Sequence, residues 1–292
     1  MNKFLIYFRI VPESIHAAFF KAGEAFRIKM VRIPLNPKTS QVDLKKVQRA
    51  INSNTVAIAG SFPGFPHGVY DDIEGLSKIA VKYKIPLHVD ACLGGLLVCF
   101  YESANISIPK FDFRLPGVTS ISADLHKYGL CPKGISYLLY SHRDYRKYQY
   151  FIYPHWMGGL YPSPGLEGSR SPALVAASYA IMCHVGRNRY ISQAKLIHNS
   201  VLKLKNFIIK NCPELEVLGD PKICLVAVTG QKSLYVHDQM TAKGWHLNLI
   251  LNPSGFSFVI TSANVENVEK GVFLNDLKES YDYVKFFFNL FI

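Results

Sequence analysis

Ser122-Ala123-Asp124-Leu125-His126-Lys127 is the stretch on which the fold reading turns. It closes the short buried-strand segment Thr119 to Ala123, and a His-Lys pair follows in the loop. A buried strand that ends on a small residue and releases polar side chains into a loop is what a parallel sheet presents at its carboxyl edge. Open α/β sheets bind their ligands there. A lysine in that position can be partly desolvated, which lowers its pKa and frees its amine to attack a carbonyl. On spacing alone the pair is a common one, and a surface His-Lys is the ordinary alternative.

Upstream, Pro86 to Ala91 forms a second buried-strand run and carries His88-Val89-Asp90-Ala91 at its end. A carboxylate emerging from such a strand is costly unless it meets a cation or a donor, or caps the following turn. Thr55 to Ser61 is a third apolar run, Met30 to Leu35 alternates like a strand, and Ile135 to Ser141 forms another strand downstream. Between them, helical spacing covers Ser14 to Phe26 with Ser14 as N-cap, Asp43 to Ile51, and Asp72 to Lys84, with a Pro- and Gly-rich loop at Phe62 to Gly68. His16 lies near the first of these helix starts. There an imidazole either stacks on a flat ring or makes an ordinary hydrogen bond.

Strands alternating with helices predict a mostly parallel sheet with helices on both faces. The pattern changes at Pro172, where a helical tract begins that runs to Asn211 with a break near Arg187-Asn188. Two apolar strands, Cys224 to Thr229 and Phe256 to Thr261, then flank a helix at Leu234 to Lys243, and an amphipathic helix covers Val265 to Phe288. The expected division is an α/β domain over residues 1–187 and a smaller α+β domain over 188–292.

With 292 residues, 49% hydrophobic and 18% charged, the chain can bury a sizeable core and is not disordered. Its net charge of +12 is scattered, and the densest basic cluster, Arg143 to Lys147, is short and interrupted. That pattern reads as a solvated basic surface rather than a nucleic-acid interface, and an anionic substrate or a membrane surface is the remaining use for the charge. The six cysteines form no CxxC pair and no zinc-like spacing, so free thiols in a reducing compartment and no metal are expected. Asn105-Ile106-Ser107 matches the glycosylation triplet, which a cytosolic chain does not use. No run approaches the roughly 20 apolar residues of a membrane span. The apolar opening, Met1 to Ile10, is short and broken by Arg9, and the tail Phe286 to Ile292 reads as a helix end packed on the core.

Taken together and in order, these segments resemble the group II pyridoxal-phosphate-dependent decarboxylase family, in its sphingosine-1-phosphate lyase branch. The likeness runs through Ile15 to Gly23 (IHAAFFKAG), Phe65 to Ile73 (FPHGVYDDI), Val81 to Gly95 (VKYKIPLHVDACLGG) and Phe111 to Gly134 (FDFRLPGVTSISADLHKYGLCPKG). It continues through Tyr145 to Phe151, Gly158 to Pro164 (GGLYPSP), Gly168 to Arg170, Tyr190 to Lys195 and Met240 to Asn248.

The resemblance implies a fold type I, PLP-dependent-transferase-like sheet and pyridoxal 5′-phosphate as cofactor. Lys127 would form the Schiff base, Asp90 would pair with the pyridinium nitrogen with His88 beside it, and His126 would lie near the cofactor phosphate. His16 would stack on the ring, although Ile15 replaces the usual small residue. Lys133 would be a further active-site residue whose charge suits a phosphorylated substrate. The implied reaction cleaves the Cα–Cβ bond of a phosphorylated sphingoid base to a long-chain aldehyde and phosphoethanolamine. Its base is open between His126, Lys133 and a residue of a partner subunit.

The family's sites are shared across a homodimer, and Gly158 to Pro164 with Gly168 to Arg170 matches a loop at that interface. There Arg170 meets either a phosphate or an acidic residue. Eukaryotic relatives sit on the cytosolic face of the endoplasmic reticulum, whereas this chain alone is expected to be cytoplasmic.

The sequence also departs from the pattern, and the chain reads as one lacking the family's N-terminal part. Only fifteen residues precede His16 and none is glycine, so the Gly-Thr-rich turn that cradles the cofactor phosphate is not seen. The membrane span and dimer-forming segment of eukaryotic members are not seen either. At about 1.5–3 kcal/mol per charged hydrogen bond, the missing turn would weaken cofactor binding by several kcal/mol. An amino-acid decarboxylase of the same family and a non-catalytic remnant are the alternative readings.

Overall fold

The structure is a computed structural model that describes residues 8–291, so Met1–Tyr7 of the apolar opening and Ile292 of the tail lie outside the described residues. Six strands form its larger sheet: β1 (Phe8–Pro12), β2 (Lys29–Ile33), β3 (Thr55–Ser61), β4 (Leu87–Asp90), β5 (Val118–Ala123) and β6 (Tyr137–Tyr140). Their order is β2-β1-β3-β4-β5-β6. The first five run parallel and β6 returns antiparallel to β5. β1 was hidden in the sequence because five residues ending in a proline offer little alternation to read. Its Ile10 and Val11 are nevertheless fully buried between β2 and β3.

Helices α1 (Ala18–Ala25), α2 (Leu44–Ala50), α3 (Ile73–Tyr83) and α4 (Gly95–Val98) join these strands. The side chains of Asp43 and Asp72 cap α2 and α3, accepting from Lys45 and Lys46 N–H and from Gly75 N–H respectively. The first helix starts later than its spacing suggests. Ser14 is buried in the preceding turn and caps nothing, whereas His16 Nδ1 accepts from Ala18 N–H at 3.2 Å. Helices do cover both faces. The Phe19 ring of α1 lies 5.9 Å from the His88 ring on one side, while a side chain added at Gly60 would strike Leu76 and Ile73 of α3 on the other.

Asp71 ties the end of β3 to the segment that leads into α2. It is fully buried, and its two carboxyl oxygens accept from Val42 N–H and Ser61 N–H, both at 2.8 Å. Burial pushes its pKa up to about 6, against the downward pull of those two donors. An acid whose folded pKa lies above its unfolded one holds its proton more tightly when folded. The stability this confers is complete below about pH 4 and is lost as the pH rises through about 6. Against the non-titrating Asp71→Asn variant, wild type should therefore lose roughly 3 kcal/mol of urea-unfolding stability between those limits. A stability difference that does not change with pH would refute this.

Beyond β6 come α5 (Arg143–Arg146) and a hairpin of β7 (Phe151–Trp156) with β8 (Gly159–Ser163). The long α6 (Ala173–Asn211) follows and is interrupted at Gly186 (φ 70°, ψ 159°), one residue before the expected domain boundary. A second sheet then forms from β9 (Glu216–Val217), β10 (Leu225–Thr229), β11 (Asn248–Leu251) and β12 (Ser254–Val259), all antiparallel in the order β11-β12-β10-β9. It carries α7 (Ser233–Ala242), α8 (Val265–Glu269) and α9 (Val272–Phe291). The single C-terminal helix expected from the sequence is split at Gly271, whose φ of 83° a helix cannot continue through. One apolar cluster runs through Ile58 and Val89 of the first sheet, Val201 of α6, and Val226 and Phe256 of the second.

Candidate active site

The two strands that the sequence singled out lie side by side. Their register begins with Leu87 opposite Val118 and then slips by one residue, so that His88 faces Ser120 and Asp90 faces Ser122. Thr119 is the extra residue, and its hydroxyl donates to the Leu87 carbonyl at 3.0 Å. Such bulges re-aim side chains. Without this one, Asp90 would sit opposite Ile121.

Asp90 is 6% exposed at the end of β4. Its Oδ1 accepts from Cys92 N–H and from the Ser122 hydroxyl, each at 3.1 Å. Its Oδ2 receives no N–H or O–H donor among the described residues, while the Cys92 thiol also interacts with the Asp90 carboxylate. A buried carboxylate with one oxygen unfilled is set up to take a further cationic donor.

Lys127 follows the end of β5. Its Nζ lies 2.9 Å from Asp124 Oδ2 and donates to Cys92 Sγ at 3.3 Å. Cys92 thereby bridges the two predicted residues, with its N–H on Asp90 and its sulfur on Lys127. The loop is pinned below them. Leu125 is fully buried, Tyr128 Oη donates to the Ile260 carbonyl at 2.7 Å, and Tyr190 Oη donates to the Gly129 carbonyl at 2.8 Å.

The electrostatics correct one expectation. Burial does pull the Lys127 pKa down, but the hydrogen bond and charge of Asp124 and the hydrogen bond to Cys92 outweigh it, and the net shift is upward. Asp124 is the reciprocal case. Burial pushes it up, and the Ser136 hydroxyl at 2.6 Å together with Lys127 brings it below the usual carboxylate range. Lys127 without a ligand is thus an ion-paired ammonium rather than a free amine. Burial and the nearby Asp90 carboxylate push the Cys92 thiol up to about 12, so it stays protonated and is no nucleophile.

The other predicted residues are less uniform in placement. His126 Nδ1 donates to the Ile135 carbonyl at 2.8 Å, which turns Nε2 toward Asp124 Oδ2 at 3.7 Å. His88 has both ring nitrogens on serine hydroxyls, Ser120 at 2.8 Å and Ser122 at 3.2 Å. His16 is exposed and engaged in capping α1. Lys133 is exposed in the loop between β5 and β6, with no hydrogen bond or ion pair among the described residues. Arg170 stands 3.5 Å from Glu167, the acidic-partner alternative, and both are well exposed.

Sequence reading passed over Cys92, Asp124, Ser120 and Ser122. Asp124 had a visible signal, its i,i+3 spacing to Lys127 inside the same motif. The other three needed the strand register. All six cysteines are free, with Cys131, Cys212 and Cys224 buried and Cys99 and Cys183 exposed. No described helix is long and apolar enough to cross a membrane.

Comparison with known proteins bears on this geometry. Residues 9–231 match the model of the pyridoxal-dependent decarboxylase conserved domain. The chain is 45% identical over 265 residues to the sphingosine-1-phosphate lyase of Saccharomyces cerevisiae, covering 89% of this chain and 45% of that protein. It is 44% identical over 274 residues to sphingosine-1-phosphate lyase 1 of Rattus norvegicus, covering 93% and 48%. The chain thus spans about half the length of the curated relatives it matches. Among solved structures, the sphingosine-1-phosphate lyase of Burkholderia pseudomallei superposes with a TM-score of 0.90 at 38% identity, covering 98% of this chain and 66% of that one. The glutamate decarboxylase of Lactobacillus brevis superposes with a TM-score of 0.80 at 21% identity and shares the fold.

Proposed function

The chain belongs to the pyridoxal-dependent decarboxylase family, and from that premise we propose that it carries the reaction centre of a carbon–carbon lyase acting on phosphorylated sphingoid bases. One observation carries the reading. A buried carboxylate with an unfilled oxygen, Asp90, and a half-buried lysine, Lys127, stand at the ends of adjacent parallel strands and are joined through Cys92. That donor set fits pyridoxal 5′-phosphate. Asp90 Oδ2 would hold the pyridinium nitrogen and Lys127 Nζ would hold the aldehyde carbon. When bound, the cofactor supplies an electron sink for the bond broken next to the substrate amine.

The rest is the work of this chain's own side chains. Asp124 and Cys92 hold the Lys127 amine in place as an ammonium, so its proton must leave before Nζ can bond to carbon, and Asp124 at 2.9 Å is the nearest acceptor. Ser136 keeps Asp124 oriented for that exchange. His126 presents Nε2, its ring fixed by the Ile135 carbonyl, as the nitrogen available to a phosphate or a proton. Lys133 and His16, both exposed, are assigned to the substrate phosphate and to the ring face.

Purified protein supplied with pyridoxal phosphate and a phosphorylated sphingoid base should release long-chain aldehyde and phosphoethanolamine in equal amounts. Carbon dioxide from an amino acid, with no aldehyde formed, would instead favour the decarboxylase reading.

The working unit is proposed to be a homodimer. The β7–β8 hairpin exposes Trp156 (55%), Met157 (102%) and Leu160 (66%) together with Phe151 and Ile152. A contiguous apolar ribbon of this kind marks a surface that another chain covers. Sedimentation equilibrium should return twice the chain mass of 32.9 kDa. The double variant Trp156→Glu/Leu160→Glu should return the single mass with an unchanged circular dichroism spectrum. A wild-type monomer would contradict the assignment.

A further inference from the structure

We propose that His88 is a positioning residue: held as its Nε2–H tautomer between Ser120 and Ser122, it directs the Ser122 hydroxyl onto Asp90 Oδ1 and so leaves Asp90 Oδ2 for the pyridinium nitrogen. The last step rests on the cofactor reading above. The first steps follow from donor and acceptor chemistry alone.

Asp90 can only accept, so the 3.1 Å contact requires Ser122 to donate its one hydroxyl proton to Oδ1. With that proton committed, Ser122 Oγ can only accept from His88 Nε2 at 3.2 Å, which places the ring hydrogen on Nε2. A neutral ring protonated there has a bare Nδ1, which must accept at 2.8 Å from the Ser120 hydroxyl. Each link has one allowed direction, and all three point at Asp90.

The surroundings keep the ring neutral. Burial, with help from the nearby Arg9 guanidinium and against the attraction of Asp90, pushes the His88 pKa down to about 4. The groups facing this chain are Arg9 from β1, the Phe19 ring from α1, and Cys92 and Lys127 around Asp90. Arg9 forms no ion pair among the described residues, and its Nε is buried without a partner, so its charge remains to oppose a second proton on His88. Oδ1 is then filled twice, by Ser122 and by Cys92 N–H, and only Oδ2 can receive a ligand.

This assigns His88 a role through Asp90 instead of contact with the cofactor, and it makes Ser120 and Ser122 parts of the same device. Nitrogen-15 spectra of protein labelled on its histidine rings, with the His88 signals identified by their loss in His88→Gln, test the hydrogen-bond chain without any cofactor. The expected result is a neutral Nε2–H ring, favoured at least about tenfold over the other tautomer and unchanged from about pH 8 to about pH 5.5. In Asp90→Ala, Ser122 loses its acceptor and the two tautomers should become comparable. Ser122→Ala, a milder change to the strand, should do the same. A wild-type ring protonated on Nδ1, or a tautomer indifferent to both substitutions, overturns the proposal.

Cofactor affinity tests the final link. Ser122→Ala should weaken pyridoxal phosphate binding about tenfold in the wild-type background and not at all beside Asp90→Ala. An equal loss in both backgrounds would mean a merely structural serine and would refute the link. If wild type takes up no pyridoxal phosphate, the functional reading falls and takes the cofactor half of this proposal with it. The tautomer still decides the hydrogen-bond chain.

Discussion

Lys127→Ala should abolish the visible absorbance that the protein acquires with pyridoxal phosphate and lower aldehyde release by about four orders of magnitude or more. The expected size follows from the residue's place. Lys127 is the amine at the carboxyl end of β5 that is joined, through Cys92, to the carboxylate at the end of β4. Removing it also leaves Asp124 half-buried without its cation, so a loss of activity alone could reflect a distorted loop. Lys127→Arg separates the two causes. The guanidinium keeps a positive charge beside Asp124 but cannot form the covalent bond to the cofactor. That variant should melt near the wild-type temperature and remain colourless and inactive. A coloured, active Lys127→Arg protein would remove this lysine from the chemistry.

The second large effect is on stability and is independent of any functional reading. Phe273 of α9 is 1% exposed, stacked on Phe258 of β12 at 4.0 Å between ring centroids and met edge-on by Trp245 at 4.9 Å. Trp245 is held from outside by its Nε1–H donating to Asp276 Oδ2 at 2.8 Å, so it cannot easily swing in to fill a void. Phe273→Ala should therefore cost about 4 kcal/mol, the transfer term plus an uncollapsed cavity. Urea denaturation measures it directly. A loss under about 1 kcal/mol would show that the aromatic cluster closes over the gap and that α9 is not fastened to the second sheet here.

Much of the fold was legible from the chain. The segments at Thr55 to Ser61, Pro86 to Ala91 and Thr119 to Ala123 are short and lie between helical patterns and turns, and the structure has β3, β4 and β5 there. The helix read at Asp72 to Lys84 is present as α3, with Asp72 as its capping residue. What the pattern missed was β1, whose buried Ile10 and Val11 look no different from a frayed start. It also missed the break at Gly271, where one glycine inside a long amphipathic pattern is not enough to declare a stop.

The sequence by itself determined that Asp90 and Lys127 would emerge at the same edge of a parallel sheet, because Asp90 ends one buried strand, Lys127 lies in the loop after the next, and such strands all point one way. Only the tertiary structure decided which side chains meet them. That depends on a one-residue slip between β4 and β5, which sets Ser122 rather than Ile121 beside Asp90. It depends also on Asp124 and Cys92 raising the Lys127 pKa against the downward pull of burial. Strand register and local charge are both differences between nearly balanced alternatives. One residue of offset swaps the face a side chain points to, and a carboxylate at 2.9 Å together with a sulfur at 3.3 Å reverses the effect of burial.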